Sequence, residues 1–573
     1  MARCNFPAGQ PVGVPNMIEA VADARALFAQ GRLMDAERAC TRILEAVPGQ
    51  VDALYGLGLI YARNMRYAEA AILFQRVLAA SPDELQVLLE LGTALINDGR
   101  AAEAIEPLSR AARLGSTNPA THFNLGNACL GAARPKEALR HYRVALALDG
   151  EKAPLLVNLA SALLAAGDPA EAIAVCERAT ARGARGAALE LTRGSALRDS
   201  GRFEEAVGAF TRATMLEPTL GAAHFNLAQA FESLGDRARA AASFARAAAT
   251  PQFAAEAEFR LAMLKLAAGD LHAGWPGYER RLEIRAATPA VPPGMARWGG
   301  DLDVAGPIVL LTEQGLGDIL HSVRYAKLLV AHGMRPWLQC EPRLARLLAT
   351  SGYFERIVAP GADYPAGAVW YPLESLPQRF SVGLADLPVA VRYLQAEPER
   401  VERQRAQLAA LQGLRVGIVW SGNRAADRFA RYPRALPPDA LLPLADVPGV
   451  SLVVLQQAAI DDLAGTRLRE HVHVPALDEE RDAFVDTAAL ITALDLVISA
   501  DTAVLHLAGA LGAAAFGALP ASAHWRWFEQ RPDSPFYPSV RLYRQGAGGD
   551  WSPVVAAMQA ELAALAARGP TRR

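Results

Sequence analysis

Three short segments combine residue types and spacing suited to group transfer. The first is Glu313-Gln314-Gly315-Leu316-Gly317-Asp318-Ile319-Leu320-His321, which joins an apolar run to an amphipathic one. Gly315 and Gly317 permit a tight turn and close approach of a ligand to the backbone. Asp318 falls at or beside a helix start. On position alone it reads first as a helix cap, a role worth about 1 kcal/mol. No Gly-Lys-Ser/Thr follows, so this is not a P-loop, and the full GxGxxG pattern is incomplete.

The second segment runs from Asp495 to Gly512. An apolar strand ends at Ser499, and Asp501-Thr502-Ala503 opens an Ala/Leu-rich helix. Such a turn presents free backbone N–H groups suited to a diphosphate. Thr502 adds a hydroxyl. Asp501 would repel phosphate and suits a sugar hydroxyl better, or it is a cap. His506 lies four residues beyond Thr502, on the same helical face, as a ligand or as a core histidine. The third segment is Trp420-Ser421-Gly422-Asn423, followed by Arg424, Arg428, Arg431 and Arg434. Basic groups beside a phosphate site can neutralise a leaving group; alone, each arginine reads equally well as a solvated loop residue. Trp525-Arg526-Trp527 with Phe536-Tyr537-Pro538 can flank a base, but the pattern favours packing under the last helix.

These segments need elements to position them. Pro307–Thr312, Pro336–Cys340, Arg356–Ala359, Arg415–Trp420, Val450–Gln456, Leu496–Ser499 and Ala513–Leu519 read as strands. Helices are expected over 319–332, 396–412 and 551–567. Alternation in two blocks predicts two parallel doubly wound domains facing across a cleft, with ligands outside the carboxyl ends of the strands.

The first half differs. Gly58, Ala70, Phe74, Val77 and Pro82 mark slots that recur thirty-four residues on as Gly92, Ala104, Leu108, Ala111 and Ser116. Gly126, Ala138, Tyr142, Ala145 and Gly150 continue the series, and so do Gly194, Ala206, Phe210, Ala213 and Pro218. Ala228, Ala240, Phe244 and Ala247 form another copy, and Ala24, Ala36, Cys40, Ile43 and Pro48 a weaker first one. Small residues at close helix contacts, a large gap-filler and a terminating Pro or Gly define helix-pair repeats. About seven units span 17–252, with a degenerate eighth near 254–286 that can pack on the following half. The array resembles tetratricopeptide repeats, whose groove holds peptides or proteins. Asn124, Asn158 and Asn226 occupy the slot that would face this groove, or else lie on a solvated face.

Composition bounds the rest. The chain has 573 residues, a net charge of −2 and 52% hydrophobic residues, which fits two to four domains and gives no support to a nucleic-acid binder. No run of eighteen apolar residues suggests a membrane span, and the first residues lack a secretory apolar core. Five scattered cysteines without metal-ligand spacing fit a reducing, cytoplasmic setting.

Over about 270–565 the chain resembles the heptosyltransferase-like GT-B glycosyltransferases fused to tetratricopeptide repeats in bacteria. The matching strings are GWPGYERRLEIR (274–285), TEQGLGDILHSVRYAKLL (312–329), RVGIVWSGN (415–423), DTAALITALDLVISADTAVLHLAGALG (486–512) and WRWFEQRPDSPFYPSVRLYRQ (525–545). The resemblance implies that Asp318, within Gly317-Asp318-x-Leu320-His321, is the acceptor base, with His321 part of the catalytic segment. It implies that Asp501, Thr502 and His506 hold donor sugar and diphosphate, helped by Gly317, Trp420, Gly422, Asn423, Arg434 and Ser499. One departure stands out: Arg434 matches the family's final Arg after the W-x-G-N turn, but Ala435 replaces its Ser and the family His is absent.

The expected architecture is thus multidomain: a tail (1–16), an all-α tetratricopeptide superhelix (17–286), a linker (287–303), and a GT-B α/β fold of two Rossmann-like domains (304–396 and 397–573). The expected function is a cytoplasmic, inverting, metal-independent glycosyltransferase without a cofactor. It would move sugar from a nucleotide-sugar to Ser/Thr of a protein acceptor in the repeat groove, flagellin being one acceptor the resemblance implies. A non-catalytic scaffold with a decayed GT-B half, or an enzyme of lipopolysaccharide or other glycans, are the alternatives.

Overall fold

The computed structural model describes residues 14–115, 117–284, 290–313, 315–388, 391–422, 433–456, 460–546 and 548–569. Backbone contacts divide the chain into two units, Met1–Pro218 and Thr219–Arg573.

The first unit consists of six helix pairs, from Val14–Ala29 with Leu33–Ala46 to Ala187–Asp199 with Phe203–Leu216. The slot chemistry has a steric origin. A Cβ at Gly58 would lie 2.6 Å from the Phe74 ring, and Gly92, Gly126 and Gly194 meet Leu108, Tyr142 and Phe210 in the same way. The paired alanines Ala36, Ala70, Ala104, Ala138, Ala172 and Ala206 are fully buried. Interiors packed at this density make one large and one small residue per slot the stable combination. Successive first helices are also joined by a polar ladder. Asn124 Nδ2 donates to Thr93 Oγ1 at 3.2 Å, Asn158 Nδ2 donates to Asn127 Oδ1 at 2.8 Å, and the Ser161 and Thr192 hydroxyls meet at 3.2 Å. Two of the three groove asparagines therefore spend amide hydrogens between repeats. The third, Asn226, lies half-buried in the second unit.

The second unit begins with two further helix pairs, Gly221–Ser233 with Arg237–Ala248 and Ala254–Ala267 with Leu271–Tyr278, then a 3-10 turn at Glu279–Glu283. Two sheets follow, parallel throughout their paired strands. The first has strands β1 (Ala296–Arg297), β2 (Ile308–Leu311), β3 (Trp337–Gln339), β4 (Arg356–Val358) and β5 (Val369–Pro372), in the order β1-β5-β2-β3-β4. The second has β6 (Leu414–Val419), β7 (Val450–Val454), β8 (Val472–His473), β9 (Leu496–Ala500), β10 (Ala515–Leu519) and β11 (Val540–Arg544), in the order β11-β10-β9-β6-β7-β8. β2 and β9 are buried at every position, as strands covered on both faces must be.

Two expectations change. The Pro/Gly-rich stretch 287–303 is not merely a linker: Ala296–Arg297 pairs with Val369–Trp370, and buried Trp298 donates its Nε1 to Asp301 O at 2.6 Å. A two-residue strand carries no alternation, so only the tryptophan could have signalled it. The helix expected over 319–332 is three pieces, Leu316–Ser322, a 3-10 turn at Val323–Tyr325, and Ala326–Ala331.

The degenerate eighth pair does pack into the α/β core. Trp275 Nε1 donates to Val382 O at 2.7 Å, and the Tyr278 hydroxyl donates to Glu374 Oε2 at 2.5 Å. Both rings also meet Trp525 edge-on.

Candidate active site

Each sheet has one place where strand order reverses. In the first sheet it lies between β2 and β5, and in the second between β6 and β9. The crevice outside the strand ends at such a point is where open parallel sheets take ligands. Thr312-Glu313 leaves β2, Leu373–Ser375 leaves β5, Trp420-Ser421-Gly422 leaves β6, and Asp501-Thr502 leaves β9.

The two crevices come together at Gly317. A Cβ there would stand 3.2 Å from His506 Cδ2 and 3.3 Å from Ala503 Cα, so glycine lets helix Leu316–Ser322 approach helix Ala503–Ala510 closely, and a larger residue would push the two apart by a few tenths of an ångström. Asp318 occupies the third position of helix Leu316–Ser322. Its Oδ2 accepts the Gly315 N–H at 3.2 Å, so it does serve as a cap. Its Oδ1 faces Arg526 Nη1 at 2.7 Å, and its side chain stays 28% exposed, within reach of a substrate.

Arg526 is buried and spans two carboxylates, with Nη2 3.5 Å from Glu374 Oε1. Burial opposes its charge, but Asp318, Tyr278 and Glu374 outweigh that and hold it protonated. Glu374 also accepts from Tyr278 and from Ser322 Oγ at 3.4 Å, and burial raises its pKa. On the other side, Arg526 Nη1 lies 3.1 Å from His524 Nδ1. Beneath this layer, fully buried Arg281 forms a two-pronged pair with Glu313, at 2.9 and 2.8 Å, and reaches Ser375 Oγ at 2.9 Å. Burial pushes Glu313 up to about 7 against the pull of Arg281.

Across the cleft, Asp501 is buried. Its Oδ1 accepts Trp527 Nε1 at 2.7 Å, while its Oδ2 has no hydrogen-bond partner. Burial raises its pKa; the Trp527 bond and Arg434 pull the other way. Thr502 is the N-cap of helix Ala503–Ala510, and its hydroxyl meets Ser499 Oγ at 3.0 Å. Gly422 stands beside the Thr502 methyl, where a Cβ would lie 3.4 Å away. The Trp420 ring is fully buried in the core beneath, its Nε1 donating to Asp462 Oδ2 at 3.2 Å, so only its backbone borders the crevice. Half-buried Arg434 acts electrostatically on both Asp501 and His524. Asn423, Arg424, Arg428 and Arg431 lie outside the described residues.

The two histidines of the motifs are interior. His506 stacks on Trp527 with centroids 4.8 Å apart, and His321 is fully buried against Phe536. One Tyr537 hydroxyl stands 3.0 Å from His506 Nδ1 and 3.3 Å from His321 Nδ1, so it donates to one ring and accepts from the other. Burial, with nearby arginines, holds both imidazoles well below their ordinary pKa. His506 packs against Gly317 and Trp527, and His321 against Trp525 and Phe536.

The expectation that Trp525–Trp527 and Phe536–Tyr537 pack under the last helix is corrected. They cluster with Trp275, Tyr278, His321 and His506, while the last helix, Ser552–Arg568, buries Val554, Val555, Met558 and Leu562 against Trp420 and Trp551. Glu374, Arg281 and His524 were not anticipated as site residues; Glu313 and Arg526 lay inside flagged segments without a role assigned to either. For Arg526 a signal existed, because an arginine between two tryptophans is drawn inside and must be paired there. Glu374 follows β5, whose Val-Trp-Tyr-Pro run has no alternation to mark it as a strand.

Among the described residues no three-residue cluster of His, Cys, Asp or Glu could hold a metal, and no helix is long and apolar enough to cross a membrane. The tetratricopeptide repeat family matches residues 21–84, 73–119, 129–191 and 191–255. The N-terminal region is thus built of tetratricopeptide repeats, an architecture that supports a protein partner. Protein FlbA of Caulobacter vibrioides is 29% identical over 331 residues, covering 53% of this chain and 54% of that protein. The chain therefore spans about half the length of this curated relative. A tetratricopeptide repeat protein of Parabacteroides merdae is 16% identical, with a TM-score of 0.31 over 39% of this chain and 87% of that one. The Cut9–Hcn1 hetero-tetramer of the APC/C is 16% identical, with a TM-score of 0.36 over 46% of this chain and 52% of that one.

Proposed function

We propose that this protein is an inverting glycosyltransferase of GT-B type that moves a sugar from a nucleotide-sugar to Ser or Thr of a protein held by the repeats. The observation that carries the reading is the convergence of two switch points, one bearing Asp318 and the other Asp501-Thr502, across Gly317. Asp318 is the general base. Arg526 and the Gly315 N–H fix its carboxylate. It takes the proton of the acceptor hydroxyl as that oxygen bonds to the anomeric carbon. The bond from that carbon to the phosphate breaks, and its electron pair leaves on the phosphate oxygen. N–H groups at the start of helix Ala503–Ala510, with Arg434, stabilise the leaving phosphate. The free Asp501 Oδ2 suits a sugar hydroxyl.

The acceptor is a protein, because the first unit is a repeat array with a polar ladder and no comparable constellation among its described residues. Flagellin is the acceptor that the resemblance to bacterial repeat–transferase fusions favours. The test is the intact mass of host proteins, flagellin first, isolated with and without this protein. A discrete sugar increment that appears only in its presence supports the reading. Identical masses favour the scaffold alternative.

A further inference from the structure

Arg324, on the turn Val323–Tyr325, is fully buried, and all three of its side-chain nitrogens donate to neutral oxygens. Nε donates to His321 O at 2.9 Å, Nη1 to Phe536 O at 2.6 Å and Nη2 to the Tyr393 hydroxyl at 3.0 Å. That hydroxyl donates in turn to Leu320 O at 2.7 Å. The guanidinium also lies against the rings of Tyr393, Phe536 and Tyr537, at 4.9, 5.3 and 4.3 Å from their centroids. Taking a cation out of water is costly, and an apolar side chain of similar volume is often no less stable in such a place. What the arginine adds is therefore geometry.

Its partners lie on opposite sides of the cleft. Leu320 and His321 belong to helix Leu316–Ser322, which carries Asp318, and their carbonyls are among those a helix end leaves unpaired. Phe536 lies on the connection between β10 and β11, which also carries Arg526 and Trp527, the partners of Asp318 and Asp501. Tyr393 extends the link to the end of helix Ala503–Ala510, where Ala510 O accepts the Tyr393 and Leu394 N–H groups at 2.9 and 3.1 Å. One apolar cluster runs through both sheets around these bonds, from Leu310 and Leu338 to Val497 and Leu542. A hinge opening between the sheets would have to break all of them.

We propose that Arg324 is a positioning residue that staples the helix bearing Asp318 to the β10–β11 connection and, through Tyr393, to helix Ala503–Ala510, so that the two switch points keep one spacing and the cleft is preformed rather than closed by a hinge. What the staple serves rests on the transferase reading; the staple itself does not.

The test measures the distance between spin labels on the full chain, without any ligand. The labels go on Glu355→Cys and Glu470→Cys, exposed positions just ahead of the edge strands β4 and β8. Cys4 is replaced by Ser, and Cys40, Cys129, Cys176 and Cys340 are buried. Wild type gives one narrow distance distribution, and Arg324→Gln broadens it. Arg324→Lys keeps the charge but not the fork that spans both carbonyls; it broadens the distribution too, and carries the test if Arg324→Gln disturbs folding. Because Asp501, Thr502 and Gly422 all follow strands of the second sheet, the folded variants keep the donor KM while kcat for transfer falls about 10²-fold. A broad or bimodal wild-type distribution, or folded variants as narrow as wild type, overturns the proposal, as does a loss of transfer through donor KM alone. Broadened variants of a protein that transfers no sugar would sink the transferase reading and leave the staple standing.

Discussion

Arg526 reaches from the second sheet's half to Asp318 Oδ1 at 2.7 Å, and the same guanidinium leans on Glu374 at 3.5 Å. One buried cation thus orients the base at one switch point and neutralises the carboxylate beside it. Coulombic gain in such a pair is offset by desolvation, so its worth lies in geometry.

Removing that cation should be costly. Arg526→Gln leaves Glu374 buried without its charge partner, and loss of about 3–5 kcal/mol of stability is expected. Arg526→Lys keeps the charge but not the fork, so stability should largely recover while transfer stays depressed. Denaturant melts and transfer rates for both variants check this; equal transfer by the Lys variant and wild type would mean that the fork positions nothing.

Asp501→Ala should weaken nucleotide-sugar binding more than free-nucleotide binding, because Oδ2 is assigned to the sugar. It also strips Trp527 Nε1 of its acceptor, a loss of about 1–3 kcal/mol. Calorimetry with both ligands, and Trp527→Phe as the structural control, separates the effects. Equal losses for the two ligands would assign Asp501 to structure.

His321 gives a pH signature. Its folded pKa lies well below the ordinary value, so between the two values the unfolded chain binds the extra proton. Stability supplied by neutral His321 is therefore complete above about pH 6.5 and falls by up to about 1.4 kcal/mol per unit below it. Glu313, Glu374 and Asp501, all raised, tilt the opposite way. The informative quantity is the difference between wild type and His321→Phe, which should narrow as pH falls from 7 to 5. A constant difference would contradict the buried neutral assignment.

Truncation should respect the second unit. A chain starting at 287 loses Trp275, Tyr278 and Arg281, leaving Glu313 and Glu374 buried without those partners. It should not fold, whereas a chain starting at Thr219 should give a single cooperative melt and bind nucleotide-sugar. Cooperative melting of the shorter chain would show that the eighth helix pair is dispensable.

The repeat half was legible because one contact, small residue against large, recurs in four helix pairs, as Gly58–Phe74 and Gly126–Tyr142 show. Asp318 and Asp501 were legible because each sits where an apolar strand turns into a helix. What stayed hidden is long-range. Nothing near Arg526 names Asp318, nothing near Arg281 names Glu313, and the brief strands β1 and β5 lack the alternation that would have revealed the first sheet's switch point. Position in a motif also concealed burial. The resemblance assigns His321 to the catalytic segment and Trp420 to the donor side, and both side chains are fully enclosed.

The most direct measurement compares sugar transfer by the full chain and its Asp318→Asn variant, read as mass added to host proteins under single-turnover conditions. Asn still caps at Gly315 but loses the charged contact to Arg526, so a stability loss of about 1.5–3 kcal/mol is expected. Donor affinity is therefore measured on the same samples. The account predicts transfer slowed by about 10²–10⁴ with donor affinity unchanged. Transfer by the variant at the wild-type rate would contradict it and leave Asp318 as a helix cap.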